Sequence, residues 1–371
     1  MKILLVTQEQ HTGLTYHRQL VPHMNLERNY GYEVIPCHDI DRITDSELKE
    51  YQIVSFLRLV DYKFRTEDII SRCKRSGCKV IVDIDDYWNL HPTHELYKSY
   101  TDNKIPEQTI SGLINADWVT TTTDHFAVKI MEYNKNVTVL PNSIDLTEKQ
   151  FQENKTYSDR LRFGWIGGVF HAPDVRLMYE GFKDVFKTVS NDKFQFCLGG
   201  FNQNEQYLFL ERVYTDNYKA IKDKEYKKYL GLIEEKNNHL SDSQSYKRLW
   251  GKSVFEYAKL YNDIDVSLVP LVKTSFNSYK SQIKIIEAGF FKKAVIVSNV
   301  MPYTIDCNKK NSILISPHKR NEGWSTAIKS MILNPNKVED LAEQMYLTVK
   351  DKYNMDNVNV VRDQLYKSLC V

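Results

Sequence analysis

Phe276-Asn277-Ser278-Tyr279-Lys280-Ser281-Gln282-Ile283-Lys284-Ile285-Ile286-Glu287-Ala288-Gly289 reads as a loop feeding a helix that runs from Lys280 to Phe290. At about 100° per residue, Lys280, Lys284, Glu287 and Phe291 fall on one narrow stripe, while Ile283, Ile286 and Phe290 form a neighbouring apolar stripe able to pack on a sheet. Strand-length apolar runs stand before it at Val266–Val269 and after it at 294–297, so the stretch is a crossover in a parallel sheet. Lys280 and Ser281 are expected in the first turn, where backbone N–H groups and the helix dipole favour a phosphate. Glu287 is expected roughly 10 Å further along at about 1.5 Å per residue. That separation suits a diphosphate and a ribose. Spacing alone equally allows a surface helix on which Lys284 and Glu287 make an ordinary i,i+3 pair.

Working outward, the chain repeats the strand and helix alternation twice. Residues 2–7 form an apolar run, followed by a loop at 8–13 and a helical pattern over 14–26. Further short runs at 33–36, 53–57, 80–84, 118–122 and 137–140 alternate with helix-compatible sequence, including 108–115 and 124–133. The polar, aperiodic residues 146–160 have the composition of a linker. A second alternation then gives strands at 161–166, 194–198, 266–269, 294–297 and 313–315, and helices at 174–189, 254–261 and 280–290, with three closing helices within 322–368. The Tyr-, Lys-, Glu- and Asn-rich residues 201–250 read as a partly helical insertion with helices near 206–213 and 222–235. The expected organisation is an α/β protein with two Rossmann-like, doubly wound parallel-sheet domains facing a cleft. They span 1–145 and 161–350, and 351–371 form a last helix that crosses back to the first domain.

Composition narrows the function. With 371 residues, two domains are expected. Lys and Arg number 50 against 48 Asp and Glu, a net charge of +2, so no global basic field of the kind that dominates non-specific nucleic-acid binding exists. The six cysteines are scattered without a C-x-x-C pair, which indicates neither a zinc site nor a disulfide framework and fits a reducing cytoplasm. The apolar run at the N-terminus turns polar at Gln8, too short for a signal peptide or membrane span, and no other segment reaches spanning length.

In an open parallel sheet, ligands collect at the carboxyl ends of strands. There the sequence places Gly13 with His17 and Arg18, then Arg58, then Asp85 and Asp86, then Pro141-Asn142-Ser143-Ile144-Asp145. In the second half it places Gly167 and Gly168, followed by His171. Asp85 and Asp86 suit a base or a divalent metal, or a helix cap beside a surface charge. His171 suits a phosphate contact or a polar surface. Gly167-Gly168 marks a turn as readily as a phosphate cradle.

Taken in order, these motifs resemble a family. Pro141-Asn142-Ser143-Ile144-Asp145, Gly164-Trp165-Ile166-Gly167-Gly168, Asp265-Val266-Ser267-Leu268-Val269-Pro270-Leu271, Lys280-Ser281-x-x-Lys284-x-x-Glu287-Ala288-Gly289 and Ala294-Val295-Ile296-Val297-Ser298 look like those of GT-B glycosyltransferases related to family 4, the retaining group. The resemblance implies a hexosyltransferase-type enzyme (EC 2.4) that needs no metal or cofactor and uses a nucleoside-diphosphate sugar, a UDP-sugar foremost, as substrate. Glu287 is then the ribose ligand, and Lys280, Ser281 and Lys284 serve the diphosphate, with Gly167, Gly168 and His171 beside them. Asn142 and Asp145 belong to a hinge strand at the mouth of the cleft. Lys284, Asp85 and Asp86 are the candidate catalytic groups. Gly13, His17, Arg18 and Arg58 are the candidate acceptor contacts. Relatives often carry a first glutamate eight residues before the ribose ligand. Tyr279 stands there in this chain.

The acceptor that the resemblance implies is a cell-surface glycan. An alternative is a hydroxymethylated pyrimidine in viral DNA, with the Lys- and Tyr-rich residues 214–261 as a strand-binding flap. Two other classes share the architecture: a nucleotide-sugar epimerase and a non-catalytic nucleotide-sugar binding module.

Overall fold

A computed structural model describes residues 1–7, 12–202, 205–221 and 244–370. It divides into two compact units. The first comprises Met1–Asp145, Ser275–Ser281 and Lys352–Val371, and the second Leu146–Thr274 and Gln282–Asp351.

In the first unit the strands are β1 (Lys2–Val6), β2 (Glu33–Cys37), β3 (Ile53–Leu57), β4 (Lys79–Ile84), β5 (Trp118–Thr121) and β6 (Val137–Val139). All pair in parallel in the order 2-1-3-4-5-6. Their apolar runs are continuous because helices cover both faces. Ile69, Ile70, Leu113 and Phe126 pack on one side, and Leu26, Leu365 and Tyr366 on the other. The covering helices are α1 (Val21–Tyr30), α2 (Thr66–Arg75), α3 (Tyr97–Asp102), α4 (Ile105–Asn115) and α5 (Asp124–Ile130). The helix expected over 14–26 forms in pieces: a turn at Gly13–Thr15, a π-helical turn at Tyr16–Leu20, then α1, which Gly31 ends at φ 71°.

The second unit contains β7 (Leu161–Ile166), β8 (Phe194–Phe201), β9 (Tyr246–Trp250), β10 (Val266–Val269), β11 (Ala294–Ser298) and β12 (Ile313–Ile315). This sheet is also parallel and runs in the order β12-β11-β10-β7-β8-β9. Its principal helices are α6 (Tyr179–Thr188), α7 (Glu205–Ile221), α8 (Ile283–Phe290), α9 (Arg320–Leu333) and α10 (Pro335–Val349). One core face is aromatic, with Phe182 and Phe196 at 4.0 Å between ring centroids beside Phe186, Phe194 and Tyr214. The final helix, α11 (Met355–Leu369), belongs to the first unit and lies on α1, where Asn359 Nδ2 donates to the Pro22 carbonyl and to Asn25 Oδ1, both at 2.8 Å.

The described part of 201–250 is joined to the second sheet: β9 pairs with β8, and α7 is tied to β9 by the buried Arg248 guanidinium on Glu211 at 2.5 and 2.8 Å and by the Tyr246 hydroxyl on the same carboxylate at 2.8 Å. The helix expected at 222–235 lies outside the described residues, as do 8–11 of the loop after β1. Within 146–160, the expected linker, Gln150 Nε2 donates to the Val254 carbonyl at 3.2 Å and the Asn154 N–H to Asn262 Oδ1 at 2.8 Å. The helix expected at 254–261 is a 3-10 segment at Tyr257–Asp263.

A buried polar knot holds the first sheet. Arg18, 2% exposed, binds Asp83 with both nitrogens, Nε to Oδ1 at 2.8 Å and Nη2 to Oδ2 at 2.7 Å, and donates through Nη1 to the Leu140 carbonyl at 2.7 Å and to Asn142 Oδ1 at 3.1 Å. Thr120 Oγ1 adds 2.6 Å to the same carboxylate. The knot therefore clamps β4, β5 and the exit of β6. His23 lies near it, donating from Nδ1 to the Gln19 carbonyl at 2.6 Å and accepting at Nε2 from the Tyr366 hydroxyl at 2.9 Å. Burial, with Arg362 adding to it, pushes the His23 pKa down to about 3.

Arg18→Met leaves Asp83 charged and buried, so unfolding free energy in a denaturant titration is expected to fall by about 3–5 kcal/mol. Adding Asp83→Asn should restore part of it, and a loss within about 1 kcal/mol of zero contradicts the structural role. For His23 the unfolded chain titrates near 6.5, above the folded value, so the unfolded state binds the extra proton first. Stability is full above about pH 6.5 and declines as pH falls toward 3. His23→Gln should flatten that decline, and an unfolding midpoint that does not move with pH over this window contradicts a buried neutral ring.

Candidate functional site

Each doubly wound sheet has one place where the winding reverses, and there the flanking strands leave an open crevice at their carboxyl ends. In the second unit it lies between β7 and β10. β7 delivers Trp165, Ile166 and Gly167-Gly168, and the chain after β10 leads to α8, which opposes them. Lys284, in the first turn of α8, donates from Nζ to the Ile166 carbonyl at 2.6 Å and stands 5.3 Å over the Trp165 ring. Gly167 is required at this point. A Cβ there would lie 2.6 Å from Lys284 Nζ and 2.7 Å from Trp165 Cζ2, whereas a Cβ on Gly168 meets nothing within 4 Å. The Gly167 carbonyl accepts from the Tyr207 hydroxyl at 2.7 Å. His171 is oriented by Asp174, Nδ1 to Oδ2 at 2.8 Å, and the other oxygen of Asp174 takes the Val272 N–H at 2.7 Å.

Glu287 lies one turn beyond Lys284 and is 4% exposed. Its Oε1 accepts from the Tyr257 hydroxyl and its Oε2 from the Tyr261 hydroxyl, the latter at 2.9 Å. Burial, then the Glu287 carboxylate, pushes the Tyr261 hydroxyl well above its usual pKa. Tyr257, Tyr261 and Asp174 were not singled out in the sequence, and Trp165 stood there only within the motif that ends in Gly167-Gly168. The four-residue spacing of the tyrosines was the available signal, and it reads as one face of a helix.

Lys280 and Ser281 do not belong to α8. The helix starts at Ile283, with Gln282 at its N-cap, and 275–281 sit in the first unit. The cause is aromatic packing. Tyr279 lies against Tyr87 at 4.7 Å, His125 at 4.9 Å and Phe126 at 5.3 Å between centroids, which holds the segment out of helical register. Ser281 Oγ accepts from Asn142 Nδ2 at 2.8 Å, and Lys280 Nζ stands 3.8 Å from Asp86 Oδ1. Asp145 is held by Arg28 Nη2 at 2.6 Å.

The crevice of the first unit lies between β1 and β3. Arg58, directly after β3, takes a left-handed backbone at φ 59° and donates from Nε to Asp85 Oδ1 at 2.8 Å and from Nη2 to Asp86 Oδ2. One cation is thus shared by the two carboxylates. Burial raises the Asp85 carboxyl above its ordinary range, against Arg58 and with Asp86 adding to the rise. Burial also works against the Arg58 charge, and the two carboxylates more than offset it. Arg58 and Asp86 edge a cavity of about 380 Å³ whose floor includes Thr7 and Leu57. Of the other expected acceptor contacts, Arg18 is locked in the polar knot, His17 is buried edge-on to Tyr16 at 5.0 Å, and Gly13 does not line the cavity. Their neighbours Leu14 and Thr15 do.

Among the described residues no group of three or more His, Cys, Asp or Glu is placed to hold a metal ion, and no helix is long and apolar enough to cross a membrane. No protein-family profile and no curated protein sequence matches the chain. Solved structures do. Sucrose-phosphate synthase from Thermosynechococcus elongatus is similar over 99% of this chain and 98% of its own, with a TM-score of 0.64 at 13% identity. HepE from Anabaena in complex with UDP matches over 99% and 100%, with a TM-score of 0.62 at 12% identity, and it is also solved with UDP-glucose. A glycosyltransferase from Rickettsia africae matches over 99% and 98%, with a TM-score of 0.61 at 13% identity. The fold is that of the GT-B glycosyltransferases.

The geometry at Glu287 is testable without any ligand. Tyr261→Phe removes a hydrogen bond to a buried carboxylate and is expected to lower stability by about 1.5–3 kcal/mol in denaturant titration. Glu287→Gln, which keeps an acceptor for one tyrosine, should cost less than Glu287→Ala. Equal stability of all three variants and the parent contradicts the arrangement.

Proposed function

We propose that this protein transfers a sugar from a nucleoside-diphosphate sugar, with a UDP-sugar as the leading donor, to an acceptor hydroxyl. The observation that carries the proposal is Lys284 pinned on the Ile166 carbonyl beside Gly167-Gly168, at the reversal point of the second sheet, with Glu287 one turn further on. A cation fixed at that crevice meets the charge that builds on a departing diphosphate, and a fixed charge stabilises that state without reorganisation. Glu287 is held by two hydroxyl donors, and the vicinal hydroxyls of a ribose present the same chemistry. Tyr257 is the more accessible of the two donors, so it is the one a ribose replaces. His171, fixed by Asp174, serves the diphosphate from the β7 side.

In the transfer, the acceptor oxygen forms a bond to the anomeric carbon. The bond from that carbon to the diphosphate oxygen breaks, and its electron pair leaves with the nucleoside diphosphate. The acceptor proton passes to the departing phosphate oxygen. Arg58, Asp85 and Asp86 are assigned to the acceptor side. Lys280 and Ser281, carried by the first unit, are reassigned from the phosphate to that side. Hexosyl transfer with retention rests on the resemblance of the ordered motifs to family 4, and a cell-surface glycan remains the leading acceptor. Of the flap suggested for the DNA reading, Tyr214, Tyr246 and Tyr261 are buried, and 222–243 lie outside the described residues. Five of the six free cysteines are buried thiols, which suits the reducing cytoplasm.

A thermal-shift panel of UDP-, GDP- and ADP-sugars should single out one nucleotide that raises the melting temperature by mass action. With that donor, Lys284→Ala is expected to lower turnover at least roughly tenfold, about 1.4 kcal/mol. No shift with any nucleotide, or unchanged turnover in the variant, overturns the proposal.

A further inference from the structure

The cavity of the first unit carries information on the acceptor that the fold does not. We infer that it is the acceptor pocket and that it takes a neutral, hydroxylated ring while disfavouring a phosphorylated one. The inference rests on the transferase reading for the word acceptor, and on the cavity itself for the chemistry.

Its position is set by the sheet. Thr7 follows β1 and Leu57 ends β3, so the floor is the crevice where the winding of the first sheet reverses. At about 380 Å³ it falls at the small end of ligand pockets, which span roughly 300–1,000 Å³. A single sugar ring is the scale of guest that fits. Tyr87, Trp88 and Tyr100 supply aromatic surface for C–H groups.

Charge decides against a phosphate. Among the described residues, Arg58 and Asp86 are the charged residues of the lining, and the Arg58 guanidinium is already divided between Asp85 and Asp86. The three groups sum to one negative charge, and Lys280, at 3.8 Å from Asp86 Oδ1, brings the set only to neutrality. A phosphate dianion entering here would face two carboxylates and find both nearby cations already engaged. A sugar hydroxyl, by contrast, can donate to the Asp86 carboxylate.

The test is saturation-transfer NMR titration of the full chain with methyl α-glycosides of glucose, galactose, mannose and N-acetylglucosamine, each beside its 6-phosphate. At least one methyl glycoside should bind, with its 6-phosphate weaker by roughly tenfold or more. Tyr100→Ala should weaken the best glycoside by roughly tenfold through lost packing. Binding of no methyl glycoside, equal or tighter binding of the phosphorylated sugar, or unchanged affinity in the Tyr100 variant overturns the inference. Thermal shifts with the UDP-, GDP- and ADP-sugar panel on the same samples separate the two claims. Glycoside binding without a shift from any nucleotide leaves the pocket standing and removes the transferase reading, and a nucleotide shift without glycoside binding does the reverse.

Discussion

A parallel sheet wound from its middle outward must reverse direction once, and connections on either side of that reversal leave in opposite directions. The crevice this leaves is a topological consequence, independent of which side chains line it. Here it occurs twice, between β1 and β3 and between β7 and β10. In each unit the groups with chemical potential gather at that point. Arg58, Asp85 and Asp86 cluster at the first, and Lys284 with Gly167 at the second. The contact of Lys284 with the Ile166 carbonyl is the clearest expression of the constraint. It requires a glycine at 167, since any side chain there would occupy the space of the ammonium and of the Trp165 ring.

Arg18, which drew attention in the sequence, is one of several buried charges that hold the fold. Arg18 with Asp83, Arg248 with Glu211, and Arg162 with Asp265 at 3.0 Å are buried, paired and hydrogen-bonded. Each joins elements far apart in the chain, and removing one partner leaves an uncompensated buried charge. Such groups are fully engaged with one another. The remaining candidates are those held at a crevice in a geometry that a ligand can share, namely Glu287 beneath its two tyrosines and the Asp85-Asp86 pair on Arg58.

The sheets were legible in the sequence where their strands are purely apolar, as in Ile53–Leu57, Val266–Val269 and Ala294–Ser298. β9 was not, because Lys247 and Arg248 make Tyr246–Trp250 look like surface, and hydropathy does not register that Glu211 neutralises Arg248 in the interior. The start of α8 was placed three residues too early for a related reason. Helical periodicity continues through Tyr279 and Lys280, but the stacking of Tyr279 on Tyr87 and His125 is a long-range contact that no local pattern encodes. Lys284 and Glu287 were legible because a charged pair beside an apolar stripe persists whatever the helix packs against. Arg18 was misread because a position following a glycine turn says nothing about burial.

The central claim is that a nucleotide binds at the reversal point of the second sheet. Hydrogen exchange followed by mass spectrometry, with and without saturating UDP, addresses it segment by segment. The account predicts slowed exchange in the peptides spanning 163–171 and 283–290. Protection confined to residues 1–145, or no change in any peptide while UDP is bound, would contradict it.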